Sequence, residues 1–409
     1  GVYRCNECFF DELICKGCCL RRHARLPFHC VKVSLHFEAV ALADLGLCVQ
    51  FNHTSDEQDV CPSPKAGPSN FIILHVNGLH LCPRSASSMW PFPTTVQQPQ
   101  TCSTFQLLHH FHLQSIQLKV STIHFYQALE QETSNIGLVN IKSCYTAFLR
   151  MVRMWRHLKL LKQAGCGHDS SGAQGTKRGE LAIMCPACPI PDINLPEGWR
   201  DDVDKCYLYT KITSQDANFR LSLQDKGTND PGLGTGWAYF VEEEHYQNYL
   251  VNCGKQNETS MCTGLSAIEQ VNTKNSKGLQ VTGVGAVICA HHGFLLLTGI
   301  GDLQKGEQYA NMDYILFSGL QGMTLHDHLN MYDIWCMYHK NLRIRHLQLP
   351  SMLQFDFDSV TLDGAVPKFH LNAHGDSCRT VFSLNFFPGV GHTDGEGIEH
   401  DWASVNGAA

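Results

Sequence analysis

No apolar stretch of this 409-residue chain approaches the ~18 residues that a membrane-spanning helix requires. The run Phe294, Leu295, Leu296, Leu297 reads as a short buried segment. No signal-peptide pattern follows Gly1, and a chain that opens on Gly rather than Met reads as a fragment beginning inside a longer protein. No internal repeat of fixed period is present, which excludes solenoid and propeller architectures. Positive charge is not in excess either. The formal net charge is −7, so the chain as a whole does not advertise polyanion binding. With 43% hydrophobic and 17% charged residues, wholesale disorder is excluded, and the length allows two or three domains.

What the chain has in abundance is cysteine, 20 residues, and histidine, 23. Cys5/Cys8, Cys15/Cys18 and Cys185/Cys188 are C-x2-C pairs, which set two thiolates on one turn as tetrahedral zinc demands. That spacing favours metal over secreted disulfides and implies a reducing compartment. Residues 1–31 are too short to bury a core and are expected to fold around zinc. Cys5, Cys8, Cys15 and Cys18 suffice for one closed site. With His23 and His29 the same segment could instead hold two ions in a cross-braced pattern resembling a B-box, Cys19 and Cys30 lying alongside. For Cys185 and Cys188 the remaining ligands are open among Cys166, His168, Cys206 and Cys262. No thioredoxin-like βαβ pattern surrounds that pair, which disfavours a redox role. Two C-x2-H motifs follow, Cys289/His292 and Cys336/His339, and His370 and His374 would share one face of a helix.

Residues 60–103 are proline-rich loop around one strand near 70–76. Residues 104–164 read as helical, ending at Gly165. Within them, Phe148, Leu149, Val152, Trp155, Leu158 and Leu161 form an apolar stripe on a helix over 145–162. Arg150, Arg153, Arg156, Lys159 and Lys162 recur beside it. From Lys142 to Arg178 eight basic residues face one acid, Asp169, so this helix is the expected DNA-phosphate contact. Residues 166–183 read as a Gly/Ser/Lys-rich linker. Beyond Cys188, strands are expected at 207–213, 220–223, 281–290 and 329–335 with helices between them, an α/β core. The organisation is thus a cysteine module over 1–31, a strand and partly basic helical region over 32–165, and a core over 184–409. Asp216 follows an apolar strand, Asp333 sits among residues that should be buried, and Glu399 lies in an acidic late segment. Three carboxylates from distant segments are what two Mg²⁺ ions need for phosphodiester chemistry, although spacing alone does not single these out.

Several long stretches together resemble the Kyakuja-Dileera-Zisupton transposases, in the form with an N-terminal cysteine cluster common in basidiomycete fungi. They include Cys185-Pro186-Ala187-Cys188-Pro189, Asp216-Ala217-Asn218-Phe219-Arg220-Leu221, Gly301 to Glu307, Pro367-Lys368-Phe369-His370 and Phe387 to Trp402. The resemblance implies an RNase H-like mixed sheet with flanking helices and an Asp-Asp-Glu triad. Asp216 would stand at the end of the first strand and Asp333 on the adjacent, buried fourth strand. Glu399 would stand on a late helix, with Glu396 as the second choice. It implies catalytic Mg²⁺ or Mn²⁺ beside structural zinc, transposon-end and target DNA as partners, self-association and a nuclear location. Cys336 and His339 match a C-x2-H found beside the second aspartate of related transposases. The sequence departs from the family where His400 replaces an arginine after Glu399, and where Val76-Asn77-Gly78 leads quickly to Cys82-Pro83-Arg84. It also departs where the chain stops ten residues past Glu399. These departures imply a truncated copy. The rival reading is a catalytically inactive, zinc-dependent nucleic-acid or protein-binding module left by transposon decay.

Overall fold

The computed structural model describes residues 2–9, 12–33, 38–47, 71–82, 91–134, 142–253 and 278–408, apart from 96, 98, 226, 228–231 and 305. The chain divides into two compact units, Gly1–Lys159 and Leu160–Gly407.

The first unit opens with a small sheet in the order β2-β1-β3-β4, built from β1 (Val2–Cys5), β2 (Ile14–Cys15), β3 (Val31–Val33) and β4 (Glu38–Val40), with helix α1 (Lys16–Arg22) after β2. A second sheet, in the order β6-β5-β8-β7, contains β5 (Phe71–His75), β6 (Gly78–Cys82), β7 (Pro91–Pro93) and β8 (Thr101–Thr104). The expected strand near 70–76 is β5, paired antiparallel with β6. Gly78 closes the turn between them at φ 129°, where a Cβ would lie 2.7 Å from Thr133 Oγ1, so no other residue fits without displacing Thr133.

The helical stretch 104–164 resolves into three helices: α2 (Phe105–Gln117), α3 (Thr122–Thr133) and α4 (Tyr145–Gln163). The hydroxyls of Thr104 and Ser121 accept from the backbone N–H groups of Leu107 and His124, capping α2 and α3. Leu107, Leu108 and Phe111 pack against Phe125, Tyr126 and Leu129, and against Phe148, Met151 and Val152 of α4. That is the burial an i, i+3/i+4 stripe requires.

The second unit is organised on one five-stranded sheet. Its strands are β9 (Lys211–Asn218), β12 (Gly283–Cys289), β13 (Leu295–Leu303), β14 (Asp327–Met331) and β15 (Thr361–Ala365), in the order β13-β12-β9-β14-β15. β12 runs antiparallel to β13 and β9, whereas β14 is parallel to both β9 and β15. A separate ribbon pairs β10 (Leu223–Gln224) with β11 (Leu279–Val281). Helix α5 (Glu243–Asn252) precedes the ribbon's second strand. Helix α6 (Tyr309–Leu320) is buried from Ala310 to Leu320. It can lie close on the sheet because Gly285 and Gly301 face it. A Cβ on either would come within 2.9 Å and 2.8 Å of Ile315 respectively. Buried Asp313 of α6 accepts from Arg345 of helix α8 (Leu342–His346) at 2.7 and 3.2 Å. Arg345 is further held by the Tyr338 carbonyl, so the charge pair is not left unsatisfied.

Four local expectations need correction. Residues 203–209 form a 3₁₀ turn, and the strand begins only at Lys211. Tyr207 and Leu208 are exposed, so their apolar character did not mark a core strand. Residues 220–223 are mostly turn, with only Leu223 in β10. The strand expected over 329–335 ends at Met331, and Trp335 already opens a short helix, α7 (Trp335–Tyr338). The segment 166–183 is not an extended linker. It packs into the second unit, with backbone bonds from Gly179 to Gly236 and from Leu181 to Trp237. Arg178 donates to the Ser318 carbonyl and hydroxyl at 2.8 Å and to Thr298 Oγ1.

Candidate active site and metal centres

The register of β9 and β14 places Met331 opposite Ser214. Two residues further along each strand's direction come Asp333 and Asp216, so both carboxylates emerge at the same end of these neighbouring strands. Asp216 is inside β9, two residues before its end, while Asp333 lies in the turn after β14 rather than within the strand. Helix α10 (Gly397–Val405) contributes Glu399 from its first turn. Asp216, Asp333 and Glu399 line one cavity of about 680 Å³, together with Glu307, Arg220 and Trp402. Sequence reasoning missed Glu307. An acid between Gly306 and the start of α6 has no pattern that separates it from a helix-start residue.

Like charges in one recess set the electrostatics. Burial, then Glu307, Asp333 and Glu399, hold the Asp216 carboxyl well above the usual carboxylate range. The indole N–H of Trp402 donates to Asp216 Oδ2 at 2.8 Å. Burial also lifts Asp333 to about 6, opposed by His370. Glu307 rises to about 7 through burial, with Asp333 adding to the rise, although the Tyr332 hydroxyl donates to it and opposes the shift. His370 Nδ1 stands 3.2 Å from Asp333 Oδ1 and 3.3 Å from Glu396 Oε2. The bond that His370 donates to Glu396, with Asp333 adding, raises His370 to about 9 against the effect of burial. Glu396 is otherwise engaged by the backbone N–H of Phe369 at 2.8 Å and does not line the cavity, so of the two late glutamates Glu399 is the one facing it. Donor atoms of Asp333, His370 and Glu399 lie within 4.8 Å of one another.

Two Cys/His clusters have donor sets suited to tetrahedral zinc. In the first unit Cys5, Cys8, His23 and His29 bring four donor atoms within 4.8 Å. Cys8 Sγ is 3.3 Å from His23 Nε2, and Cys5 Sγ is 3.4 Å from His29 Nδ1. His23 Nδ1 bonds the Cys19 carbonyl at 2.8 Å, which turns Nε2 inward. The single four-cysteine site is therefore not the arrangement found. Cys15 and Cys18 stand apart, and among the described residues no third donor joins them. Asn77 ties the cluster to the β5–β6 turn, donating to Glu7 Oε1 at 2.5 Å and to the Phe28 carbonyl at 2.7 Å.

In the second unit Cys185 and Cys188 meet Cys289 and His292, so two motifs about a hundred residues apart form one set of four donors. Cys289 Sγ lies 3.0 Å from Cys188 Sγ and 3.4 Å from His292 Nδ1. Of the partners considered for the Cys185/Cys188 pair, Cys166, His168 and Cys206 are not in the set, and Cys262 lies outside the described residues. A local sequence window cannot reveal the pairing, because β12 carries Cys289 to the pair through the sheet. The C-x2-H of Cys336 and His339 does not close on itself. His339 Nδ1 faces the Trp335 carbonyl at 2.8 Å, while Cys336 faces His374 at 3.5 Å. His370 and His374 also part company, one toward the carboxylates and one toward Cys336, because His370–Ala373 is a 3₁₀ turn and not an α-helix.

On α4, Arg150, Arg156 and Lys162 are exposed, and Arg153 and Lys159 are half-buried. Arg156 donates to Ser115 Oγ at 2.8 Å and lies over the Phe111 ring, and Lys159 lies over Trp155. None of the described helices is long and apolar enough to cross a membrane.

The chain is thus a mixed α/β protein with an acidic recess at one end of its central sheet and separate Cys/His clusters. Residues 209–409, which include the whole central sheet and the recess, match the Kyakuja-Dileera-Zisupton transposase family model. Residues 87–137 match the model of the CxC2 like cysteine cluster associated with KDZ transposases. Together the matches span more than half of the chain, and the chain belongs to the Kyakuja-Dileera-Zisupton transposase family. The second match covers β7, β8, α2 and α3, where Cys102 is the sole cysteine. The four-donor cluster of the first unit lies upstream of it. No curated protein and no solved structure matches the chain.

Proposed function

We propose that this chain is a DNA transposase of the Asp-Asp-Glu type with an RNase H-like core, cleaving transposon ends and joining them to target DNA. The observation that carries the reading is the meeting of Asp216, Asp333 and Glu399 in one cavity at the end of adjacent parallel strands. Numbered within its own sheet, the core has the order 3-2-1-4-5 with only the second strand reversed, which supports the RNase H-like assignment.

The donors in the recess are hard carboxylate oxygens, and the crowding that raises Asp216, Asp333 and Glu307 is what bound positive charge would relieve. These residues therefore fit Mg²⁺ or Mn²⁺, which would supply an activated water and charge stabilisation at the leaving oxygen. Asp216 and Asp333 would anchor the site from the rigid sheet, and Glu399 would complete it from α10. Trp402 orients Asp216, and His370 holds Asp333 and Glu396 in place. Arg220, at the cavity wall, would meet a DNA phosphate. The two four-donor Cys/His sets would hold structural zinc, and exposed cations of α4 would contact the DNA backbone. This reading places the protein in the nucleus, where the ends would be brought together by self-association.

The test is a nicking assay on duplex DNA carrying the flanking transposon ends, with the zinc-loaded full chain. Mg²⁺-dependent nicks at the ends, lost in Asp333→Asn with zinc content unchanged, are expected. Cleavage that persists in Asp333→Asn would overturn the assignment.

A further inference from the structure

Cys336, His374 and Cys378 come from three separate segments of the second unit: the start of α7, the residue after the 3₁₀ turn His370–Ala373, and helix α9 (Asp376–Val381). Their donor atoms lie within 4.8 Å of one another. Cys336 and His374 are each 3% exposed, and Cys378 is half-buried. Two sulfurs and one imidazole nitrogen, largely withdrawn from water, form a soft donor set of the kind that selects zinc over the hard cations suited to the carboxylate recess.

We propose that Cys336, His374 and Cys378 bind a zinc ion, with the fourth coordination position left to water or another exchangeable ligand. This site replaces the C-x2-H pairing of Cys336 with His339, which does not join the donor set and whose ring packs on Phe382. Its place in the chain gives it a consequence. Cys336 follows Asp333 by three residues and His374 follows His370 by four, while Asp333 and His370 are 3.2 Å apart. One ion would therefore fasten both sides of the Asp333–His370 contact to a common point, closing the loop between them. The metal count itself is independent of whether the carboxylates cleave DNA.

The experiment measures zinc per chain in the purified full chain by elemental analysis, with circular dichroism recorded on each variant. Cys378→Ser and His374→Gln should each hold one equivalent fewer than the parent, and His339→Ala the same number as the parent. The parent reconstituted with Co²⁺ should lose part of its thiolate-to-metal absorption when Cys378 is replaced. In the zinc-loaded parent, which needs no variant to fold, Cys378 should resist iodoacetamide as buried Cys336 does, rather than react at the rate of exposed Cys206. Unchanged zinc in both folded variants, or alkylation of Cys378 as fast as Cys206, would overturn the proposal. So would loss of the equivalent in His339→Ala with retention in Cys378→Ser.

Discussion

The indole nitrogen of Trp402 donates a 2.8 Å hydrogen bond to Oδ2 of Asp216, linking helix α10 to the central strand of the sheet. Trp402 is one turn beyond Glu399 on the same helix, so a single element both supplies one carboxylate and orients another. Replacing it with Phe keeps most of the buried ring and removes only the donor. Nicking by Trp402→Phe should fall by roughly 10-fold or more, the usual cost of losing a residue that orients a metal ligand. The apparent Mg²⁺ affinity should weaken in the same assay. An unchanged rate and metal dependence would reduce Trp402 to a packing residue.

Crowded acids impose a stability cost as well. Asp216, Glu307, Asp333 and Glu399 share one recess, and each raises the cost of ionising Asp216 or is raised by a neighbour. Asp216→Asn removes one ionisable group from the recess while leaving an oxygen for Trp402. In metal-free buffer this variant should melt above the parent, yet it should gain less from added Mg²⁺ and should not nick DNA. Thermal melts with and without Mg²⁺ check it. A variant that melts lower than the parent in the absence of metal would mean that the acids are not in conflict.

Local pattern made some of this visible. The apolar stripe at 145–162 gave α4, and the caps Thr104 and Ser121 mark helix starts that short-range chemistry dictates. The C-x2-C pairs marked thiolates held on one turn. What could not be read was long-range. Cys289, the last residue of β12, meets Cys185 and Cys188 from about a hundred residues away, and Cys336 groups with His374 and Cys378 rather than with His339. Glu307 joins the recess beside Tyr332, whose hydroxyl donates to it from a distant segment. The strand expected at 207–213 starts only at Lys211, because exposed Tyr207 and Leu208 mimic a buried run.

The first-unit cluster makes a sharp distinction among its thiols. Cys5, Cys8, His23 and His29 converge, and Cys15 and Cys18 do not join them. His29→Ala should therefore lose one zinc equivalent and destabilise the 2–33 region, which exposes it to limited proteolysis. Cys15→Ser should leave that ion in place. Elemental analysis of both full-length variants decides the matter, and loss of the same ion from Cys15→Ser would restore the four-cysteine arrangement.

Acid should weaken the second unit through His328. This ring is 2% exposed and its Nε2 faces the Leu325 carbonyl at 3.2 Å. Burial lowers its pKa to about 4, assisted by Lys211 and opposed by the Leu325 carbonyl. The unfolded chain, with an ordinary histidine pKa near ~6.5, binds a proton that the folded chain refuses. The associated stability is therefore full above about pH 6.5 and is lost as pH falls toward 4, by at most about 3 kcal/mol. His328→Gln should show a flatter dependence of the urea midpoint across that window. The difference between parent and variant isolates this group from other acid-sensitive sites. Parallel profiles would remove His328 from the account.

The basic residues of α4 divide into two kinds, and salt dependence separates them. Arg156 is committed within the first unit, to Ser115 and the face of Phe111, so Arg156→Ala should cost stability before it costs DNA affinity. Arg150 and Lys162 are exposed and better placed to pair with phosphates. Each phosphate neutralised releases condensed counterions, so the logarithm of affinity falls with the logarithm of salt by roughly 0.9 per contact on duplex DNA. Arg150→Ala and Lys162→Ala should each weaken binding similarly across unrelated duplexes and reduce that slope by about one. Fluorescence anisotropy against a KCl series measures both quantities. If the slope is unaltered in the double variant while the fold is intact, α4 presents a solvated charged face and the DNA track lies elsewhere.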